Sequence, residues 1–155
     1  MLDSLLIPFR SQPPSPALPE GYGLEADVWP SPLELDRLLV ACGDPSRPAD
    51  RLQRALERST WLLNVRSPSG ALVAFVRATS DLALNANLWD LCADPADPRR
   101  DQLLVVLVHT ALTRLRRELP GCSISVAALP EAIEPLRRQG FVVDPGGIRA
   151  MGLQL

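Results

Sequence analysis

The stretch "NANLWDLCADPADPRRDQLLVVLVHTAL", residues 85–112, decides the fold. Residues 85–93 read as a strand, the proline-bearing middle as a short loop, and the remainder as the start of a long helix, about 98–119. Apolar residues surround the first half of that helix nearly all round, which predicts that it lies deep against a sheet. Downstream, "CSISVAAL" (122–129) reads as a buried strand, so strand, helix and strand form a crossover. Upstream, "TWLLNVR" and "ALVAFVRATS" are joined by "SPSG" and predict a hairpin of strands 60–66 and 71–79. Residues 85–93 are then the third strand of a meander.

Further out, "YGLEADVW" (22–29) alternates as a strand does. Ser31 is an N-cap and Pro32 a first helical position for "SPLELDRLLVACG", with Leu35, Leu38 and Leu39 as its apolar stripe and Gly43 as its stop. "ADRLQRALERS" (49–59) places Leu52, Ala55 and Leu56 on one face and reads as a second helix. "PEAIEPLRRQG" is a short helix, and "FVV" (141–143) and "IRAMGLQL" (148–155) are closing strands. The order β-α-α-β-β-β-α-β-α-β-β predicts an α+β, three-layer domain: a mixed sheet with helices on both faces. Residues 1–20 hold most of a proline-dense segment without the basic start of a signal peptide, and read as a tail ahead of a domain at 21–155.

Composition narrows the function classes. The 155 residues, 46% hydrophobic and 22% charged, suit one ordinary globular domain. A formal net charge of −2 offers no basic face for nucleic acid. No stretch approaches 18 uninterrupted apolar residues, so no membrane span is expected. All 16 basic residues are arginine, which excludes a lysine Schiff base in this chain. Cys42, Cys92 and Cys122 lie far apart without metal-ligand spacing and suit a reducing cytoplasm, and no metal site is expected. His109 sits inside an apolar helical run and reads as a packing residue.

"FVRATSD" (75–81), "LNANLWDLCADP" (84–95) and "LRRQGFVVDPGGIRAM" (136–151) together resemble the GNAT acetyltransferases, and within them the cyanobacterial and plastid branch. The resemblance covers residues 22–155. It implies a mostly antiparallel sheet that splays between strands 86–93 and 122–128. In that family the pantetheine arm of acetyl-CoA lies in the splay and the substrate amine approaches from the other side. Backbone at Leu91, Cys92 and Ala93 would line the cofactor side. Arg77, Thr79, Ser80 and Asp81 would line the substrate side, or else cap and brace the turn into Leu82–Leu84. Asp90 matches the branch pattern and is the candidate base, or the buried partner of an N–H or an arginine. A homodimer through sheet edges is implied by the same analogy.

Two family features are missing. The family's loop after the fourth strand runs Q/R-x-x-G-x-G/A, and its backbone N–H groups hold the pyrophosphate at a helix start. The matching glycine positions here are Arg99, Asp101 and Leu103, and no glycine occurs between Gly70 and Gly121. Asp97, Pro98 and Asp101 instead form a self-contained helix start, with Asp97 as N-cap and Pro98 at the first position. Its carboxylates favour the helix dipole that a pyrophosphate would use. Arg99 and Arg100 are either side-chain phosphate ligands or solvated charges. The tyrosine that many members use to protonate the departing thiolate falls on Leu136, and the chain's one tyrosine, Tyr22, lies on the first strand. Three functions are compatible with this pattern. The first is a degenerate acetyltransferase serving as a binding or scaffolding module for a protein partner. The second is an active acetyl-CoA-dependent N-acetyltransferase, and the third a small-molecule sensor using the vacant cleft.

Overall fold

A computed structural model describes residues 14–155, so most of the proline-rich tail lies outside the described residues. The elements run β1 (Gly23–Ala26), α1 (Pro32–Ala41), α2 (Ala49–Glu57), β2 (Trp61–Arg66), β3 (Leu72–Ser80), β4 (Asn85–Ala93), α3 (Arg100–Glu118), β5 (Ser123–Val126) and α4 (Pro130–Arg138). They build one sheet in the order β1-β2-β3-β4-β5. Strands β1 to β4 pair antiparallel, and β5 joins β4 in parallel through the crossover helix α3. The expected mixed, mostly antiparallel sheet is therefore present.

Alternation along the strands divides the core into two layers. Leu63, Val65, Ala74, Val76, Leu88 and their neighbours face α3 and α4, where Leu103, Leu104, Leu107 and Leu115 complete the larger cluster. Leu62, Leu72, Phe75 and Cys92 face the opposite way, against Leu35, Leu38 and Leu39 of α1 and Leu52 and Leu56 of α2. The central strand β3 is thus covered on both sides over its first half, as its unbroken apolar run requires. α1 begins as read. The Ser31 hydroxyl accepts from the Glu34 N–H at 3.2 Å, and the Glu34 carboxylate accepts from the Ser31 N–H at 3.1 Å.

Four boundaries differ from the sequence expectation, each for a local reason. β1 stops at Ala26 because Asp27 turns the chain at φ +58°. Its carboxylate accepts from the Leu62 N–H and from both terminal nitrogens of Arg114, at 3.2, 3.1 and 2.7 Å. α3 starts at Arg100 rather than Pro98, because Asp97 closes a turn of its own instead of capping the helix. β5 spans four residues, since pairing with β4 ends at Val126. The closing strands at 141–143 and 148–155 do not form. Between them Asp144, Pro145, Gly146 and Gly147 make a tight turn with three left-handed residues, φ +48°, +63° and +79°. Val142, Val143, Ile148, Met151 and Leu153 stay exposed, and β5 remains the sheet edge.

The end of the tail is tied to the domain: the Gln102 side chain donates to the Ala17 carbonyl at 3.0 Å, and Leu18 packs on the α3-side core. Leu107 is fully buried under the sheet. Leu107→Ala is expected to cost about 2–5 kcal/mol, read as a lower urea midpoint. Leu153→Ala, in the exposed segment, should shift stability by less than about 0.5 kcal/mol.

Candidate functional site

The site begins with an irregularity in β4. Phe75 pairs with Cys92 but Arg77 pairs with Trp89, so β4 carries one extra residue opposite Val76. Asp90 absorbs it in left-handed backbone at φ +57°. Aspartate is among the few residues that tolerate that region. Its carboxylate accepts from Arg77 Nε at 2.6 Å, with both side chains mostly buried. The Arg77 guanidinium lies 6.0 Å from the centre of the Trp89 ring, and the indole N–H donates to the Thr79 hydroxyl at 2.8 Å. Arg77, Thr79, Trp89 and Asp90 therefore form one linked group on the α1 side of the sheet. Asn87 extends it by accepting a hydrogen bond from the Ser125 hydroxyl of β5.

Ser80 and Asp81 belong to the turn instead. The Ser80 hydroxyl donates to the Asn85 carbonyl and accepts from the Leu82 N–H. Asp81 Oδ1 accepts from the N–H groups of Ala83, Leu84 and Asn85 at 2.9, 2.8 and 3.0 Å. Those bonds, Asn85 first, lower the carboxyl pKa to about 2.

Beyond the Leu88–Val126 pair, β4 and β5 separate. Past that point Leu91, Cys92 and Ala93 are buried in the core, and the Ala93 carbonyl accepts from the Cys42 thiol at 3.4 Å. The mouth is crossed by a salt bridge between Arg100, at the start of α3, and Glu131, at the start of α4. Arg99 is exposed, while Arg100 is committed to Glu131 and buries an unpartnered Nε.

The loop between β4 and α3 spends its backbone donors on internal hydrogen bonds. The N–H of Asp94 donates to the Val73 carbonyl, and that of Ala96 to the Asp94 carboxylate. The N–H of Asp97 donates to the Asp94 carbonyl, that of Arg99 to the Asp97 carboxylate, and that of Arg100 to the Asp97 carbonyl. Pro95 and Pro98 have no N–H. Every backbone donor from residue 94 to residue 100 is thus absent or already used. The Tyr22 hydroxyl donates to both Asp97 oxygens at 3.0 and 3.1 Å, and burial followed by that bond raises its pKa. From Asp94 to Arg100 the loop offers an anion no free backbone N–H. Leu136 is buried in the α3-side core. On the outer side of β5, Ile124, Val126, Ile133, Phe141 and Ile148 line an apolar groove of about 410 Å³, in the space the closing strands were expected to fill. Among the described residues no group of three or more His, Cys, Asp or Glu could hold a metal ion, and no helix is long and apolar enough to cross a membrane.

Glu131 and Cys42 were not legible as site residues, because each meets its partner only across the fold. The interaction at Asp90 is testable: Asp90→Asn keeps the tolerance for left-handed backbone but removes the charge, and should cost about 1 kcal/mol in urea unfolding. Because the folded pKa of Asp81 is depressed, its stabilisation is complete above 3.8 and lost as pH falls through about 2. The amide resonances of Ala83, Leu84 and Asn85 should move together with a midpoint near pH 2, followed by NMR in the folded protein.

No protein-family model matches the chain. The uncharacterized N-acetyltransferase ycf52 of Porphyra purpurea is 33% identical over 121 residues, covering 76% of this chain and 68% of that protein. The chloroplastic serotonin N-acetyltransferase 2 of rice is 36% identical over 76% of this chain, which spans 59% of the rice protein. The soybean histone acetyltransferase TAP1 is 31% identical over 83% of the chain and 58% of its own length. Among solved structures, Staphylococcus aureus SA2161 superposes with a TM-score of 0.74 at 12% identity, over 86% of this chain and 99% of that one. Escherichia coli YhbS, solved in complex with CoA, has a TM-score of 0.61 at 17% identity, covering 80% of this chain and 70% of its own, and like SA2161 speaks for the fold alone. With the order of elements, the parted strands and these relatives together, the chain belongs to the GNAT N-acetyltransferase superfamily, in its plastid-type branch.

Proposed function

We propose that this chain is a GNAT-fold binding module in which acetyl-CoA binding is weak or lost. One observation carries the proposal: from Asp94 to Arg100 no backbone N–H is left for a pyrophosphate. Opening the loop would break bonds to two carboxylates, which would then face the incoming negative charge. Leu136 in place of a tyrosine supports the same conclusion, because its side chain has no proton to give. So does the Glu131 carboxylate, which holds the arginine best placed to replace the missing glycines. The face built from Arg77, Thr79, Trp89 and Asp90 is then a recognition surface for a protein partner or a second copy. Free cysteines suit a reducing compartment, the cytoplasm or its plastid counterpart.

A second reading is favoured by the relatives, which are named as N-acetyltransferases and two of which name serotonin or histone as acceptor. In an active enzyme Asp90 would take the proton of the amine, and Arg99 with a released Arg100 would hold the cofactor phosphates. Thermal unfolding with and without millimolar acetyl-CoA separates the two. A ligand at 100 times its Kd adds about 2.7 kcal/mol, which for a domain of this length is a rise of roughly 5–11 °C. An unchanged Tm is expected. A rise of that size would overturn the proposal, and Arg99→Ala/Arg100→Ala should then abolish it.

A further inference from the structure

Cys42 and Cys92 are fifty residues apart in sequence and adjacent in the fold. Cys42 is the C-cap of α1 and half-buried, and its thiol donates to the carbonyl of Ala93, the residue that follows Cys92. Cys92 points from β4 toward α1 into the cluster of Leu35, Leu38 and Leu39, against which Cys42 also packs. Cys92 is thus one residue from the carbonyl that Cys42 contacts and shares its apolar cluster. Cys122 lies at the start of β5 and packs on the α3-side core, away from both. We propose that Cys42 and Cys92 are a redox modification site, closing reversibly to a disulfide that joins the end of α1 to β4 beside the opening between β4 and β5. The inference does not rest on the function proposed above.

The environment divides the roles. The neighbouring Cys92 thiol holds the Cys42 thiol below the ordinary cysteine range, against burial and the nearby Asp94 and Glu131 carboxylates and with help from Arg100. The Cys42 thiol beside it and near-complete burial push the Cys92 thiol well above it. The Ala93 carbonyl works the other way on Cys42, since it accepts only from the protonated thiol. Cys42 is the reachable nucleophile and Cys92 the resolving thiol. With hydrogen peroxide as oxidant, Cys42 gives up its proton and its sulfur attacks one peroxide oxygen. The O–O bond breaks, leaving a sulfenic acid and, with that proton, one water. The Cys92 sulfur then attacks the Cys42 sulfur, and the displaced hydroxyl leaves with the Cys92 proton as a second water. Two thiols are oxidised and one peroxide is reduced to two waters. Forming the bond withdraws Cys42 from Ala93, so the state of the pair changes the hydrogen bonding of β4 at the cleft.

The test uses the full chain treated with hydrogen peroxide, alkylated and digested at arginine, with peptides mapped by mass. Cys42 and Cys92 fall in different fragments, so a disulfide appears as a linked pair two hydrogens lighter than the separate thiols. The expected result is loss of two of the three alkylatable thiols, a Cys42–Cys92 link, and its reversal by dithiothreitol. Cys122→Ser should keep the link, and Cys42→Ser or Cys92→Ala should abolish it. Three free thiols after oxidation, a link through Cys122, or Cys42 oxidised to sulfinic acid beside an untouched Cys92 would each overturn the proposal. Mapping of the unaltered chain decides the matter even where a variant fails to fold.

Discussion

The left-handed kink at Asp90 is the constraint on which the candidate site depends. It inserts one residue into β4, re-aims Trp89 and the strand end, and lies where pairing with β5 ceases. Left-handed backbone at a non-glycine residue costs about 1–2 kcal/mol, and a hydrogen bond between charged groups recovers about 1.5–3 kcal/mol. The Arg77 guanidinium therefore offsets the strain it neighbours. The same contact turns Arg77 over the Trp89 ring, and the ring in turn engages Thr79. One backbone irregularity thus produces both the opening between the strands and the polar face on its α1 side.

The loop that follows obeys a different economy. A glycine loop leaves its N–H groups open, in geometries a Cβ would obstruct, so that an anion can complete them. This loop completes itself. Asp94 and Asp97 fold back on the N–H groups two residues ahead, prolines remove two more donors, and Tyr22, just ahead of β1, holds Asp97 in place. The result is a turn whose backbone donors from Asp94 to Arg100 are satisfied within the chain. The Arg100–Glu131 bridge then ties the two sides of the opening together, and its arginine has to be released before it can serve a ligand.

A second set of contacts braces the opposite end of the sheet. Arg114 of α3 takes both Asp27 oxygens and lies 5.0 Å from the Trp61 ring centre, linking α3 to β1 and β2. Burial opposes ionisation of Asp27, but Arg114 and the Leu62 N–H outweigh it and hold its carboxyl below the usual range. The sheet is thus anchored at β1 and open at β5, where the apolar segment from Phe141 onward finds no strand to join.

Most of the fold was legible because its signals are local. The strand at 85–93, the N-cap at Ser31, the apolar faces of α1 and α2 and the all-round apolar start of α3 each follow from residues within a few positions of one another. The missing glycines were legible in the same way, as was the tendency of Asp97 to occupy the N–H groups it precedes. What residues 85–112 alone determined, then, was a strand, a self-satisfied loop and a buried helix. The tertiary structure decided everything that needs two distant segments. It chose Arg77 as the partner of Asp90, placed Glu131 on Arg100, and set Cys42 beside Cys92. It also withheld the last two strands, because a strand needs a neighbour to take its hydrogen bonds and the segments at 141–143 and 148–155 pair with none. Side-chain type and spacing record what a residue can offer, but only the folded chain determines which distant group is there to accept it.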